Sequence, residues 1–582
     1  MNRSLPLDQL TTLITAARGD VTIDLLLTNA RVVNVFTGEV QNSSVAVHQG
    51  FVVGLGDYPA LQTEDLQGSY VAPGFLDAHM HLESSMVSPA EFARAVVPLG
   101  TTGVFADPHE IANVCGLAGI DYILGFNGKI PLDIYVNLSS CVPATNLEHS
   151  GASLSAEDLA TRFERPGVCG LAEVMNFPGV FLADPEVLKK ILAAGERPID
   201  GHCPGLSGKL LSAYVVAGIG SDHECTTYEE ALEKLRAGLS IMIREGSVAR
   251  NLDALSALIT PDRLSRLMLC TDDREPIDLV EQGHINYLIR RAAGRGFDPI
   301  TSIRLATINV ANYFGLKRRG AVAPGYLADL VVLEDLFSMK PSRVYKAGKL
   351  VARDGEALFE AAHVDDSQVV GTMRMAPLSD DSLKIPARGT RARVIELVPR
   401  QIVTRQAVEE VRQEDGQVVA DPKRDILKLA VIERHKASGQ IGLGLARGFG
   451  LKRGALASTV AHDSHNLVVV GANDADMKLA AEEVQRIGGG LAAVGDGEVL
   501  ASLPLPIAGL MSDRPLAEVK TQLEAMYAAA KKLGGTAEHP FMSLAFLALP
   551  VIPSLKLTDM GLVDVDAFQL VDLFEDQPVA AG

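Results

Sequence analysis

Between Pro73 and Leu316 the chain alternates eight short apolar runs with longer stretches of helical period, and this repetition limits the possible folds more than any other feature. The runs are Phe75–Ala78, Thr102–Ala106, Ile134–Leu138, Val168–Val174, Ile199–Gly201, Ile219–Asp222, Ser240–Ile243 and Leu267–Thr271. Runs of this length read as buried strands. Between most of them lie helical segments such as Pro89–Leu99, Pro185–Ala194 and Thr227–Ala237, the last with Glu-rich solvent positions. Eight strands alternating with helices over about 240 residues predict a (β/α)8 TIM-like barrel, whose active site lies at the C-terminal strand ends.

The flanks read differently. Residues 1 to 20 form a polar, helical leader, followed from Ile23 to about Val71 by apolar runs broken at Thr37-Gly38 and Gln49-Gly50. A similar pattern returns in GAVAPGYLADLVVLEDL and PSRVYKAGKLVARDG. Neither piece has enough strands to close a core alone, so one small β-sandwich built from both is expected, with the barrel inserted between its halves. The polar stretch APLSDDSLKIPARGTRARV opens the last third, where LVVVG and LAAVG alternate with helices over Ala475–Ile487 and Leu516–Leu533, each ended by a glycine run. The expected division is 1–72 for the leader and first part of the sandwich, 73–316 for the barrel, 317–379 for the rest of the sandwich, and 380–582 for a C-terminal α/β domain.

A chain of 582 residues is too long for one core. Its formal charge of −19, from 53 Lys and Arg against 72 Asp and Glu, argues against a nucleic-acid or anionic-membrane partner. The N-terminal MNRSLPLDQL has no apolar core of signal-peptide length, and no uninterrupted apolar run nears the length of a membrane span. The six cysteines include no CxxC pair and read as free thiols of a cytoplasmic protein.

The strand ends carry metal-ligand chemistry. The first ends in His79 and His81, and residues two apart in an extended chain point the same way, so both imidazoles can reach one ion. The fourth ends in Glu173, the fifth leads to His202, the sixth to His223, and the eighth to Asp272 and Asp273. Four histidines with carboxylates suit one or two divalent ions with a position open for water, and Mn, Fe(II) and Zn all accept this donor set.

The strings PGFLDAHMHLESS, DPHEIANV, GLAEVMNFPGV, DGHCPG, SDHE, MIREGS and CTDDREP, continued by AHDSHN and LPLPIAGLMS, resemble the bacterial adenine deaminases of the amidohydrolase superfamily over nearly the whole chain. Many superfamily members bridge two metals with a carboxylated lysine where this chain has Glu173, which can bridge without modification. The resemblance implies Mn or Fe(II), and hydrolysis of adenine to hypoxanthine and ammonia by metal-bound hydroxide attacking C6. Asp272, preferred over Asp273, would bind metal and move the proton. A second acid should protonate a ring nitrogen, with Glu83, Glu110 and Glu245 as unranked candidates. His109 is a proton carrier, a substrate contact, an extra ligand or an ordinary loop histidine. A homodimer or larger assembly is expected. The competing readings are an aminohydrolase for another aminopurine or related heterocycle, and a non-catalytic assembly protein on the same fold, which typically lacks several of the ligands.

Other chemistries lack their motifs. The H-x-E with PC-x-x-C design of other deaminases is missing, as are HExxH and GxGxxG, and CPGLSGKL is a poor P-loop match. In ALASTVAHDSHN, His462, Asp463 and His465 stand together; they cap a turn, or they help close the adenine pocket or hold another ion.

Overall fold

The computed structural model describes residues 5–399 and 401–575. A helix over Leu7–Ala17 leads into five strands: β1 (Ile23–Asn34), β2 (Glu39–His48), β3 (Phe51–Leu55), β4 (Ala60–Asp65) and β5 (Tyr70–Pro73). The barrel strands follow: β6 (Phe75–Met80), β7 (Thr101–Ala106), β8 (Asp133–Leu138), β9 (Val168–Val174), β10 (Ile199–Gly201), β11 (Ser221–Asp222), β12 (Ser240–Arg244) and β13 (Leu267–Cys270). Each of the eight apolar runs forms one of these strands.

Strands β6 to β10 pair in parallel as one sheet and β11 to β13 as another. Backbone bonds join the two into a closed ring. Gly220 N donates to Ile199 O at 2.9 Å on one side. On the other, Asp272 N donates to His79 O at 3.0 Å and His81 N to Asp272 O at 3.3 Å. The pleat sorts the side chains. Leu76, Ala78, Phe105, Tyr135, Cys169, Met242, Met268 and Cys270 fill the interior, where Phe314 stacks on Phe105 with ring centroids 3.5 Å apart. Ile241, Ile243, Leu267 and Leu269 face outward against helices. Those helices start where sequence chemistry favours it. Ser88, Asp184 and Asp298 each accept a bond from a first-turn amide, and each is followed by proline.

Four strands after the barrel, β14 (Leu330–Leu333), β15 (Pro341–Lys346), β16 (Lys349–Arg353) and β17 (Glu356–Ala357), join β1 to β5 in one nine-stranded sheet. The joint is β5 against β14, where Val71 pairs with Val332, so the sheet is completed only after the chain has passed through the barrel. Lys346 fastens this sheet to the barrel floor by donating to Thr102 O, Asp133 and Asp329 at 2.7 to 2.9 Å.

The C-terminal region is built on an eight-stranded mixed sheet. Helices over Asp474–Arg486 and Leu516–Lys532 accompany it. Its segment 459–466 is entirely buried and follows the strand Ala455–Ser458. Among the described residues no helix is long and apolar enough to cross a membrane.

The Phe105–Phe314 stack closes the barrel floor, so Phe314→Ala should cost about 3 to 5 kcal/mol, the range for emptying a buried aromatic site. Denaturant titration followed by circular dichroism checks this, and a loss below about 1 kcal/mol would refute the floor's role.

Candidate active site and metal centre

Glu173, at the end of β9, collects imidazoles from several strands. Its Oε1 lies 3.3 Å from His81 Nε2, 3.5 Å from His109 Nδ1 and 3.9 Å from His79 Nε2. Its Oε2 lies 2.6 Å from His202 Nδ1 and 3.2 Å from His223 Nε2. Asp272 Oδ1 completes the first side, 3.4 Å from His79 Nε2 and 3.1 Å from His81 Nε2. The donors therefore divide into two groups that share one carboxylate. Adjacent ligands of an ion with bonds near 2.1 Å stand about 3.0 to 3.4 Å apart, close to the spacings observed. His79 Nε2, which faces both Glu173 and Asp272, is buried without a hydrogen-bond partner, which is costly unless an ion or water meets it. The donor set fits divalent metal.

Backbone and outer contacts aim these groups. Asp272 adopts φ 56°, which turns its amide and carbonyl toward β6. His81 Nδ1 meets Asp107 O at 3.2 Å, which leaves Nε2 for an ion. Tyr214 OH donates to Val174 O at 2.7 Å and accepts from His202 N at 2.9 Å, tying β9 to the loop after β10. Arg244 donates to Asp272 Oδ2 at 2.8 Å and to Glu224 Oε2 at 3.0 Å. Burial pushes the Asp272 carboxyl up, but Arg244 and the histidines hold it well below the usual range.

The other candidates separate clearly. The imidazole of His109 lies between Asp107 Oδ2 at 3.0 Å and Glu110 Oε1 at 3.1 Å. Glu110 also accepts from His462 Nδ1 at 2.6 Å and contacts His465 Nε2, so 459–466 closes one wall of the barrel mouth. Burial lowers the His462 pKa, yet Glu110, Asp273 and Asp463 carry it up to about 9. Its Nε2 has no partner, and the side chain lines the cavity above the ligand cluster. Asp273 lines the same cavity and accepts from Ser84 Oγ at 2.5 Å. Glu83 sits behind the wall with Oε1 on the Ile111 amide, and burial with nearby Glu110 pushes its pKa up to about 7. Glu245 is not brought in. Its oxygens accept from Leu252 N and Arg291, both at 2.9 Å, on the outside of β12.

The lining residues not singled out in the sequence include Glu224, Arg244 and Phe546, which stacks on His462 at 4.5 Å. The signal for Arg244 was present. Met242 points inward and Ile243 outward, so the pleat turns Arg244 in and Glu245 out. Ile402, Leu549 and Ile552 supply an apolar lid that packs with Val248, and Met175 lines the same cavity.

Comparison with known proteins places this geometry. The model of the amidohydrolase family matches residues 70–351, and that of the adenine deaminase C-terminal domain matches residues 401–569. Adenine deaminase 2 of Carboxydothermus hydrogenoformans is 53% identical over 560 residues, 96% of this chain and 98% of that one. The adenine deaminase of Desulfatibacillum aliphaticivorans is 52% identical over 97% of this chain and 99% of its own. That of Methanothrix thermoacetophila is 49% identical, again covering 97% and 99%.

The His462–Glu110 contact predicts a pH dependence. The folded pKa of about 9 exceeds the ordinary value of 6.5, so the stabilisation is full below pH 6.5 and is lost as pH rises through 9. Unfolding free energies of wild type and His462→Gln should differ by about 3 kcal/mol more at pH 6 than at pH 10. A pH-independent difference would show that the imidazole is not held as a cation.

Proposed function

The chain belongs to the adenine deaminase family and hydrolyses adenine to hypoxanthine and ammonia; we propose how its own residues divide that work. His79, His81, Asp272 and Glu173 Oε1 would hold one divalent ion, and His202, His223 and Glu173 Oε2 a second. Such ions act as Lewis acids that bring the pKa of a water near neutrality. The nitrogen and carboxylate donors accept Mn, Fe(II) or Zn, and the family resemblance favours Mn or Fe(II).

Asp272 takes one proton from the water that attacks C6, and Arg244 on its second oxygen keeps it ionised beforehand. Negative charge building on the ring is met at N1 by a proton from His462 Nε2. The observation that carries this assignment is an imidazole with Nδ1 2.6 Å from Glu110 and Nε2 unpartnered at the cavity, and the surrounding carboxylates raise its pKa to about 9. Glu110 itself stays ionised, which makes it the partner of the acid rather than the acid. Asp272 then passes its proton to the amine, the C6–N bond breaks with its electron pair on nitrogen, and ammonia leaves. The remaining hydroxyl proton returns to His462 as the C6 carbonyl forms, so one adenine and one water give one hypoxanthine and one ammonia. His109 holds Glu110 and Asp107 in register. The apolar lid of Ile402, Phe546, Leu549 and Ile552 covers the ring away from the metal end.

None of the six cysteines forms a disulfide among the described residues, which supports a reducing, cytoplasmic setting. Exposed Leu182, Leu192, Leu210 and Val216, on or beside the helices that follow β9 and β10, support self-association.

Ammonia release from Mn(II)-loaded protein, with adenine, adenosine, guanine and cytosine side by side, tests the reading. Adenine alone should turn over. Glu173→Gln should abolish turnover and lower metal content, whereas His462→Gln should keep the metal and lower kcat by about 10²- to 10⁴-fold. An unchanged kcat in His462→Gln would return the ring-nitrogen acid to the other candidates.

A further inference from the structure

The two histidines facing Glu173 Oε2 follow the shortest barrel strands. β10 has three residues and β11 two, so few ladder bonds fix His202 and His223. Besides the Tyr214 hydroxyl on the His202 amide, the contacts that hold their loops converge on Lys234, a fully buried lysine on the helix Tyr228–Arg236. Its Nζ donates to Cys203 O at 2.7 Å, Asp222 Oδ2 at 3.0 Å and Glu230 Oε1 at 2.8 Å. Asp222 Oδ1 accepts from the Cys203 amide at 2.9 Å, next to His202, and Oδ2 from the Glu224 amide at 3.1 Å, next to His223. The Cys203 and Cys225 thiols also donate to Asp222, at 3.3 and 3.0 Å. Glu230 extends the frame by accepting from Gly205 N at 2.8 Å and Thr226 N at 3.2 Å. One ammonium thus ties the loop after β10, the loop after β11 and the following helix. Without it Asp222 would be a fully buried carboxylate with no basic side chain bonded to it.

The other ligand group is held by different contacts. His81 leans on Asp107 O and Asp272 on Arg244, and neither is among the partners of Lys234. We propose that Lys234 is the positioning residue for the half-site formed by His202, His223 and Glu173 Oε2, and that it sets the affinity of the second divalent ion while leaving the first unchanged. The inference rests on the reading that these three groups take an ion.

Titration of metal-free protein with Mn(II) by calorimetry, with metal analysis after gel filtration, separates the possibilities. Lys234→Met keeps the side-chain stem and removes the charge. It should bind one ion as wild type does and a second about 10- to 100-fold more weakly, the usual penalty for losing an outer-shell partner. His223→Ala is the control for the underlying reading and should lose one ion. If His223→Ala keeps both ions at wild-type affinity, the half-site assignment itself fails. If His223→Ala loses an ion while Lys234→Met binds both normally, or weakens both equally, the role of Lys234 is refuted. Should Lys234→Met not fold, Glu230→Ala, which strips an outer partner from the same ammonium, carries the test: a weaker second ion supports the proposal and wild-type affinity overturns it.

Discussion

The structure depends on a carboxylate taken out of water. Glu173 is buried, and burying an ionised carboxyl costs several kcal/mol unless it is paired on all sides. Burial alone would raise its pKa, but His202 and His223 hold it well below the ordinary range. Those partners and His79, His81 and Asp272 come from strands or loops spread around the ring. The pairing therefore exists only once the barrel has closed, and the backbone bonds of Asp272 to β6 perform that closure beside the ligands themselves. Folding and site assembly are one event in this part of the chain.

The C-terminal region completes the electrostatics that the barrel leaves open. Glu110 lies at the start of a barrel helix beside His109, and the C-terminal region adds His462, whose pKa Glu110 helps raise, and the ring of His465, whose pKa burial lowers. A second clasp lies beyond the catalytic loop. Glu275, three residues after Asp272, accepts from Tyr527 OH at 2.8 Å and meets His539 Nδ1 at 3.2 Å. A third joins Asp559 to the His149 amide at 2.9 Å. Around these polar contacts Met542, Phe546, Leu549 and Ile552 pack with Val248 and Ile402, so water is displaced from the region above the ligands. The charged groups of the mouth interact in a low-dielectric setting, which explains why the carboxylates around His462 raise its pKa despite its burial.

The sequence by itself determined the parts of this protein that follow from local periodicity. Short apolar runs alternating with helical segments specified the barrel strands, and polar residues where those runs end specified His79, His81, Glu173, His202, His223 and Asp272 as neighbours, since parallel strands of a closed ring bring their C-terminal ends together. The same pleat separates Arg244 from Glu245, although a motif spanning both does not. What tertiary structure decided are contacts between segments far apart in the chain: Glu110 with His462, 352 residues away, and Tyr527 with Glu275, 252 residues away. No local pattern encodes these. Which side chain meets a buried charge across a domain boundary depends on how two finished surfaces dock, so the choice of His462 over Glu83 or Glu245 as the ring-nitrogen acid could be argued only once both surfaces were in view.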